Sequence, residues 1–236
     1  MAFEFAPAYL IHRRDWGESG ALVELFFADH GRQTLAARGI NQPNSKRRAL
    51  LAPFRPLLVS SVSKRDMQTM TSVEANGQAP LLLGAASIAG LYLNELLHYL
   101  LPANEPAKAL YASYTHAIAQ LNEPAIDRVL RGFERVLLDT IGLGPSWQLD
   151  ARATEIDPEQ SYRWLNLEGW APSDARSPDA LSGATIRALA NDAPLQAEQR
   201  QRVNRLFRRL IDAALGGRAL RSRELWAWAS GRVEKP

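Results

Sequence analysis

The chain has 236 residues, 46% of them apolar and 22% charged, which is ordinary for a globular protein long enough to bury a core. It has no cysteine, which excludes disulfides, thiolate zinc sites and thiol nucleophiles, and no apolar run reaches the roughly 18 residues that span a bilayer. The net charge of +3 hides an uneven distribution: ten Lys/Arg against seven Asp/Glu in residues 1–80, eight against fourteen in 81–195, and ten against four in 196–236. Basic ends can meet a polyanion while the acidic middle avoids it.

The opening Met1 to Pro7 carries Glu4 and no basic cluster, so it does not read as a signal peptide and fits a cytoplasmic protein. Residues 8–73 read as about five strands. Ala8 to His12 and Ala21 to Phe27 are apolar, and Asp29-His30-Gly31 is a turn leading into Gln33 to Ala37. Arg13 to Gly20 and Gly39 to Ala49 have loop composition. Pro56 to Ser60 and Gln68 to Val73 complete the set. The strand count and turn spacing fit a small barrel, either an OB-fold or an SH3-like one.

Pro80 marks the change to helices, and the spacing predicts a helix over Leu83 to Leu101, ended by Pro102. Ala107 to Leu121 is a second. Glu123 to Ile141 is a third, with Asn122 as its cap and Gly142 as its stop. Its apolar face is Ile126, Val129, Leu130, Phe133 and Leu137, with Arg128, Arg131 and Arg135 opposite. Trp147 to Pro178 is irregular, with a hairpin over Tyr162 to Ala171. Ser182 caps a short helix from Gly183 to Ala190. Gln196 to Leu215 is strongly amphipathic and stops at Gly216-Gly217, and Ser222 to Ala229 forms the last helix.

Catalytic signatures are missing from the sequence. The four histidines, His12, His30, His98 and His116, show no metal-binding spacing and read as isolated. There is no phosphate-binding glycine loop and no nucleophile elbow. Asp150, Glu155, Asp157 and Glu159 read as a solvated acidic stretch, and a metal-dependent nuclease using them ranks last. No metal and no cofactor is expected. The remaining signal is basic. Lys46-Arg47-Arg48, with Arg32 and Arg38, would make a positive edge on the barrel, and such an edge grips phosphates without regard to sequence. Single strands also need aromatic platforms. Phe26, Phe27 and Phe54 read as core, which leaves Trp16, beside Arg13 and Arg14, as the exposed candidate.

Several stretches then combine. Tyr9-Leu10-Ile11-His12-Arg13-Arg14-Asp15-Trp16-Gly17-Glu18-Ser19, the hairpin Asp29 to Arg32, Ala36-Ala37-Arg38-Gly39 and Leu51 to Leu57 resemble the RecO family of bacterial recombination mediators. So do Gly90 to Leu97, Arg131-Gly132-Phe133-Glu134, Gly142-Leu143-Gly144 and Leu215 to Leu225. The resemblance implies an α+β protein: a five-stranded OB-fold barrel over 1–79, then a helical domain over 80–236 with an irregular arm at about 145–181. It implies a non-enzymatic DNA-repair mediator that binds single- and double-stranded DNA, anneals complementary strands and helps load RecA onto DNA coated with single-strand-binding protein (SSB). RecR is an implied partner, and the acidic tail of SSB would dock at Arg131, flanked by Arg128 and Arg135. The DNA contacts expected are Arg13, Arg14, Trp16, Arg32, Arg38, Lys46, Arg47 and Arg48, and the expected location is the cytoplasm, at the nucleoid, away from membranes. Some relatives carry a four-cysteine zinc site in the arm. This chain lacks it, so Trp147, Trp164 and Trp170 must pack the arm instead. The alternative is a scaffold that docks acidic protein tails and does not bind DNA.

Overall fold

The computed structural model describes residues 2–64, 67–166 and 168–229. Five strands alternate inward apolar residues with outward ones, and the sheet they form closes on itself. They are β1 (Phe3–Trp16), β2 (Gly20–Phe27), β3 (Gly31–Ala37), β4 (Pro56–Lys64) and β5 (Met67–Ala75), in the barrel order β1-β2-β3-β5-β4. The β3–β5 pair is parallel and the others are antiparallel. This is an OB-like barrel. Leu10, Val23, Leu25, Leu35, Leu57 and Val59 fill its interior.

β1 is longer than its apolar core suggests. Its first half pairs with β4 and its second half with β2. The expected loop from Arg13 is therefore strand as far as Trp16: ladder pairing of Arg13–Trp16 with Gly20–Val23 overrides their polar composition. A bulge between Leu10 and His12 re-aims the side chains. Ala8, Tyr9, Leu10 and Ile11 are all buried because the outer face of the strand is covered too. Outside the barrel, Tyr9 and Phe26 pack against Tyr111 and Tyr114.

Two further boundaries differ from the sequence reading. Lys46 to Leu50 is not loop but a short helix, α1 (Lys46–Leu50), anchored by the buried Leu51 that follows it. The helices α2 (Ala85–Leu100), α3 (Lys108–Gln120) and α4 (Ile126–Thr140) come next. Asn122 does not cap α4. Pro124 and Ala125 form a turn before the helix starts, and the Asn122 amide donates instead to the Leu81 carbonyl (3.1 Å).

By its contacts the chain divides into two compact units, Met1–Phe133 with Ala219–Pro236, and Glu134–Arg218. The change from strands to helices at residue 80 falls inside the first unit. There, Tyr114 on α3 is fully buried and its hydroxyl donates to Asn94 Oδ1 on α2 at 2.7 Å. Gly90 on α2 leaves room for the Phe54 ring, which a Cβ there would meet at 2.8 Å.

In the second unit, β6 (Ser161–Leu165), β7 (Gly169–Pro172) and β8 (Leu181–Ser182) form a small sheet in the order β7-β6-β8. Trp170 is buried, with Trp164 edge-on to it and Trp147 stacked on Phe207. The Trp170 indole N–H donates to the Ser146 carbonyl at 2.6 Å. Aromatic packing thus holds the arm without a metal cluster of cysteines. Ser182 caps α5 (Gly183–Ala190) by accepting from the Thr185 N–H, and α6 (Ala197–Leu215) ends at Gly216 in the left-handed region. The last helix is α7 (Arg221–Ala229). Among the described residues no helix is long and apolar enough to cross a membrane.

Candidate nucleic-acid interface

Six basic residues of the first third, Arg13, Arg14, Arg38, Lys46, Arg47 and Arg48, converge at one end of the barrel. β1 ends there at Trp16, opposite Gly20, and β3 ends at Ala37, opposite Ala21. Arg38 follows immediately, and α1 lies just beyond. Asn41 ties these pieces together. Its side chain accepts a hydrogen bond from Arg13 and donates to Asp15 Oδ1 (2.8 Å) and to the Gly20 carbonyl (2.9 Å), while its backbone N–H reaches the Ser19 carbonyl (2.9 Å). Arg47 donates to the Arg38 carbonyl at 3.0 Å. Asn41 reads as plain loop composition, and nothing local in the sequence marks it as the organiser.

Strand alternation sorts the side chains. Arg13 and Asp15 lie opposite the interior residues Val23 and Ala21, so they rim the barrel mouth. Arg14 and Trp16 fall on the outer face. Arg14, Arg38, Lys46 and Arg48 are exposed, Arg13 and Arg47 are half-buried, and Trp16 is 39% exposed. Six cations stand here against two anions, Asp15 and Glu18. Such a surface neutralises phosphates, and an aromatic ring beside it offers a face to a base.

Arg32 does not join this group. It opens β3 while Arg38 follows its end, about 20 Å apart along an extended strand. Its guanidinium is half-buried, donating to Glu24 (3.1 Å) and to the Leu101 carbonyl (2.8 Å). The positive edge expected from the sequence therefore loses Arg32, while Arg13 and Arg14, already expected as DNA contacts, stand on it.

Comparison with known proteins decides the family. The family model "Recombination protein O N terminal" matches residues 1–78, and "Recombination protein O C terminal" matches residues 84–224. The chain is 37% identical to the "DNA repair protein RecO" of Methylococcus capsulatus over 225 residues, covering 94% of this chain and 93% of that one. It is also 37% identical to that of Nitrosococcus oceani (95% and 93% covered), and 32% identical to that of Marinobacter nauticus (96% and 95%). The chain belongs to the RecO family.

In this RecO-family chain the three arginines of α4 are not equivalent. Arg128 is exposed and Arg131 half-buried. Arg135 donates to the Leu189 and Ala190 carbonyls (2.8 and 3.3 Å) at the end of α5 and pairs with Asp192 (2.9 Å). A uniformly exposed row, as the helix period suggests, is therefore found only at Arg128. Buried Glu134 shares the helix, and Asp139 is held above the usual carboxylate range by burial, with Arg135 opposing.

The acidic stretch serves turns. Asp150 Oδ1 accepts from the Arg152 and Thr154 N–H groups, and Asp157 Oδ1 from the Glu159 N–H. Two of the four histidines, His12 and His98, do not stay isolated. His12 on β1 stacks on His98 of α2 with ring centroids 4.4 Å apart, and His98 Nδ1 lies 2.8 Å from Glu24 Oε2. Burial, then the neighbouring His98, lowers the His12 pKa, with Glu24 opposing. Residues 86 positions apart show no spacing signal, so only the fold brings them together.

Proposed function

We propose that this chain is a non-enzymatic DNA-repair mediator that holds DNA by its backbone at the barrel end formed by Arg13, Arg14, Trp16, Arg38, Lys46, Arg47 and Arg48. The observation that carries the reading is the concentration of cations around one exposed indole, on an OB-like barrel of the RecO family. Phosphate neutralisation there leaves bases free to pair with a second strand, which is the physical basis for annealing. It also accounts for binding of both single- and double-stranded DNA, because the backbone is common to them. Arg128 and Arg131 of α4 are the groups proposed for the acidic tail of SSB, where a guanidinium pairs with a carboxylate. Arg131 stands at the position that the family resemblance implies, with Arg128 exposed about one turn before it. Partnership with RecR and help in loading RecA complete the proposed role, in the cytoplasm at the nucleoid.

Fluorescence anisotropy of labelled single-stranded DNA against salt tests the barrel surface. Each phosphate contact contributes about 0.7 to the log–log salt slope on single strands. An Arg38→Ala, Lys46→Ala, Arg48→Ala triple variant should therefore show a slope shallower by about 2, and roughly 100-fold weaker binding at 0.1 M salt. Arg32→Ala should leave the slope unchanged. Equal binding by wild type and triple variant places DNA elsewhere. SSB-tail binding with no DNA binding at all favours the scaffold instead.

A further inference from the structure

A cation site on the outer face of the barrel follows from how strand register and helix packing combine. On that face β1 and β2 place His12 and Glu24 directly opposite each other, a position where side chains of neighbouring strands touch. α2 brings His98 onto the same spot, its Nδ1 2.8 Å from Glu24 Oε2. One donor atom from each of the three residues lies within 4.8 Å of the other two. Among the described residues this is the one such grouping of His, Cys, Asp or Glu. We propose that His12, Glu24 and His98 form a binding site for a divalent d-block cation of the zinc class.

The donor set selects the ion. Two imidazoles and one carboxylate suit zinc, nickel or cobalt, whereas magnesium and calcium prefer all-oxygen shells. Ligands held about 2.1 Å from a metal stand roughly 3.0–3.4 Å from one another in octahedral or tetrahedral arrangement. The His98–Glu24 pair already stands near that separation, with a proton where the metal would sit. His12 is exposed and stacked on His98, so its ring turns out of that stack to close the last distance. The carboxylate also accepts from Arg32 at 3.1 Å, which holds it in place and tempers affinity by adding positive charge. Beside the trio lies a cleft of about 260 Å³ whose other walls include Tyr99, Glu95 and Arg221. It leaves one side of the ion open to water or to a small ligand. Bound there, the ion would clip β1 and β2 to α2 and stabilise this unit, since it binds only the folded arrangement.

The test uses the full chain without a histidine tag, stripped by chelator and dialysed. Zinc titration by calorimetry should give one equivalent per chain. Cobalt should give visible d–d absorption, displaced by zinc. At a hundredfold excess over Kd, Tm should rise by about 5–10 °C. His12→Gln is at an exposed position and should fold as wild type, yet bind at least tenfold more weakly. His98→Gln should do the same, and His116→Gln, at an exposed histidine of α3, should bind as wild type. Absence of binding at about 1 mM zinc, or undiminished affinity in a folded His12→Gln chain, overturns the proposal.

Discussion

Replacing Gly31 with alanine probes the contact that seats the β2–β3 turn. Gly31 has φ of +65°, and a Cβ built on it would lie 1.8 Å from the Glu105 carbonyl oxygen. That oxygen belongs to backbone in the α2–α3 connection, which is bonded to the turn. The Asn104 N–H donates to the Arg32 carbonyl at 2.9 Å, Arg32 and Ala103 form a parallel bridge, and Lys108 pairs with Asp29 at 2.7 Å. No side-chain rotation relieves a clash with a main-chain oxygen. Alanine in the left-handed region costs about 1–2 kcal/mol, and overpacking a fitted contact about 1–3 kcal/mol more. Gly31→Ala should therefore destabilise the barrel unit by about 2–5 kcal/mol. Gly17→Ala is the matched control. Its φ is also +65°, but nothing lies within 4 Å of the added carbon, so only the backbone cost of about 1–2 kcal/mol remains. Urea unfolding, followed by tryptophan fluorescence and circular dichroism, measures both. Equal losses in the two variants, or a loss under about 1 kcal/mol for Gly31→Ala, would refute the steric argument.

Three other outcomes follow from single groups. Tyr114→Phe removes the buried hydrogen bond to Asn94 and leaves that amide unsatisfied, so urea unfolding should show a loss of about 1–3 kcal/mol. Arg135→Ala removes the guanidinium from the Leu189 and Ala190 carbonyls at the end of α5, of which Leu189 keeps the Asp192 N–H, and should lower stability by about 1–2 kcal/mol while changing SSB-tail affinity little. Asp139→Asn acts through pH. Burial raises the carboxyl of Asp139, so the native state binds its proton more tightly than the unfolded chain does. Between the ordinary and the raised pKa, acidification therefore favours the fold, and above both the ionised carboxylate costs stability. The variant should be the more stable at pH 7, and its advantage should shrink as pH falls through that window toward 4, read as the difference in urea midpoints.

Much of this chain is legible in local order. The amphipathic stripe of α6 with its terminal glycine, the Ser182 cap, the turn at Gly31 and the strand-to-helix change at residue 80 are all decided by residues within a turn or two of each other. Near-neighbour chemistry acts whatever the rest of the chain does. Core assignment of Phe26, Phe27 and Phe54 follows for the same reason. The misreadings share an opposite cause. Arg13 to Trp16 look like loop until pairing with β2 makes them strand. Arg32 looks like part of a basic edge until Glu24 and the Leu101 carbonyl claim it. Arg135 looks free until α5 ends beside it. Asn41 is anonymous until three segments meet on its amide, and His12, Glu24 and His98 read as unrelated until β1, β2 and α2 converge. The sequence by itself settled most of the elements, the stop of α6 and the placing of charge along the chain, because those depend on contiguous side chains. Only the tertiary structure decided which charges remain open to solvent and which distant groups touch, because closing the barrel and packing helices on it join residues that share no local spacing.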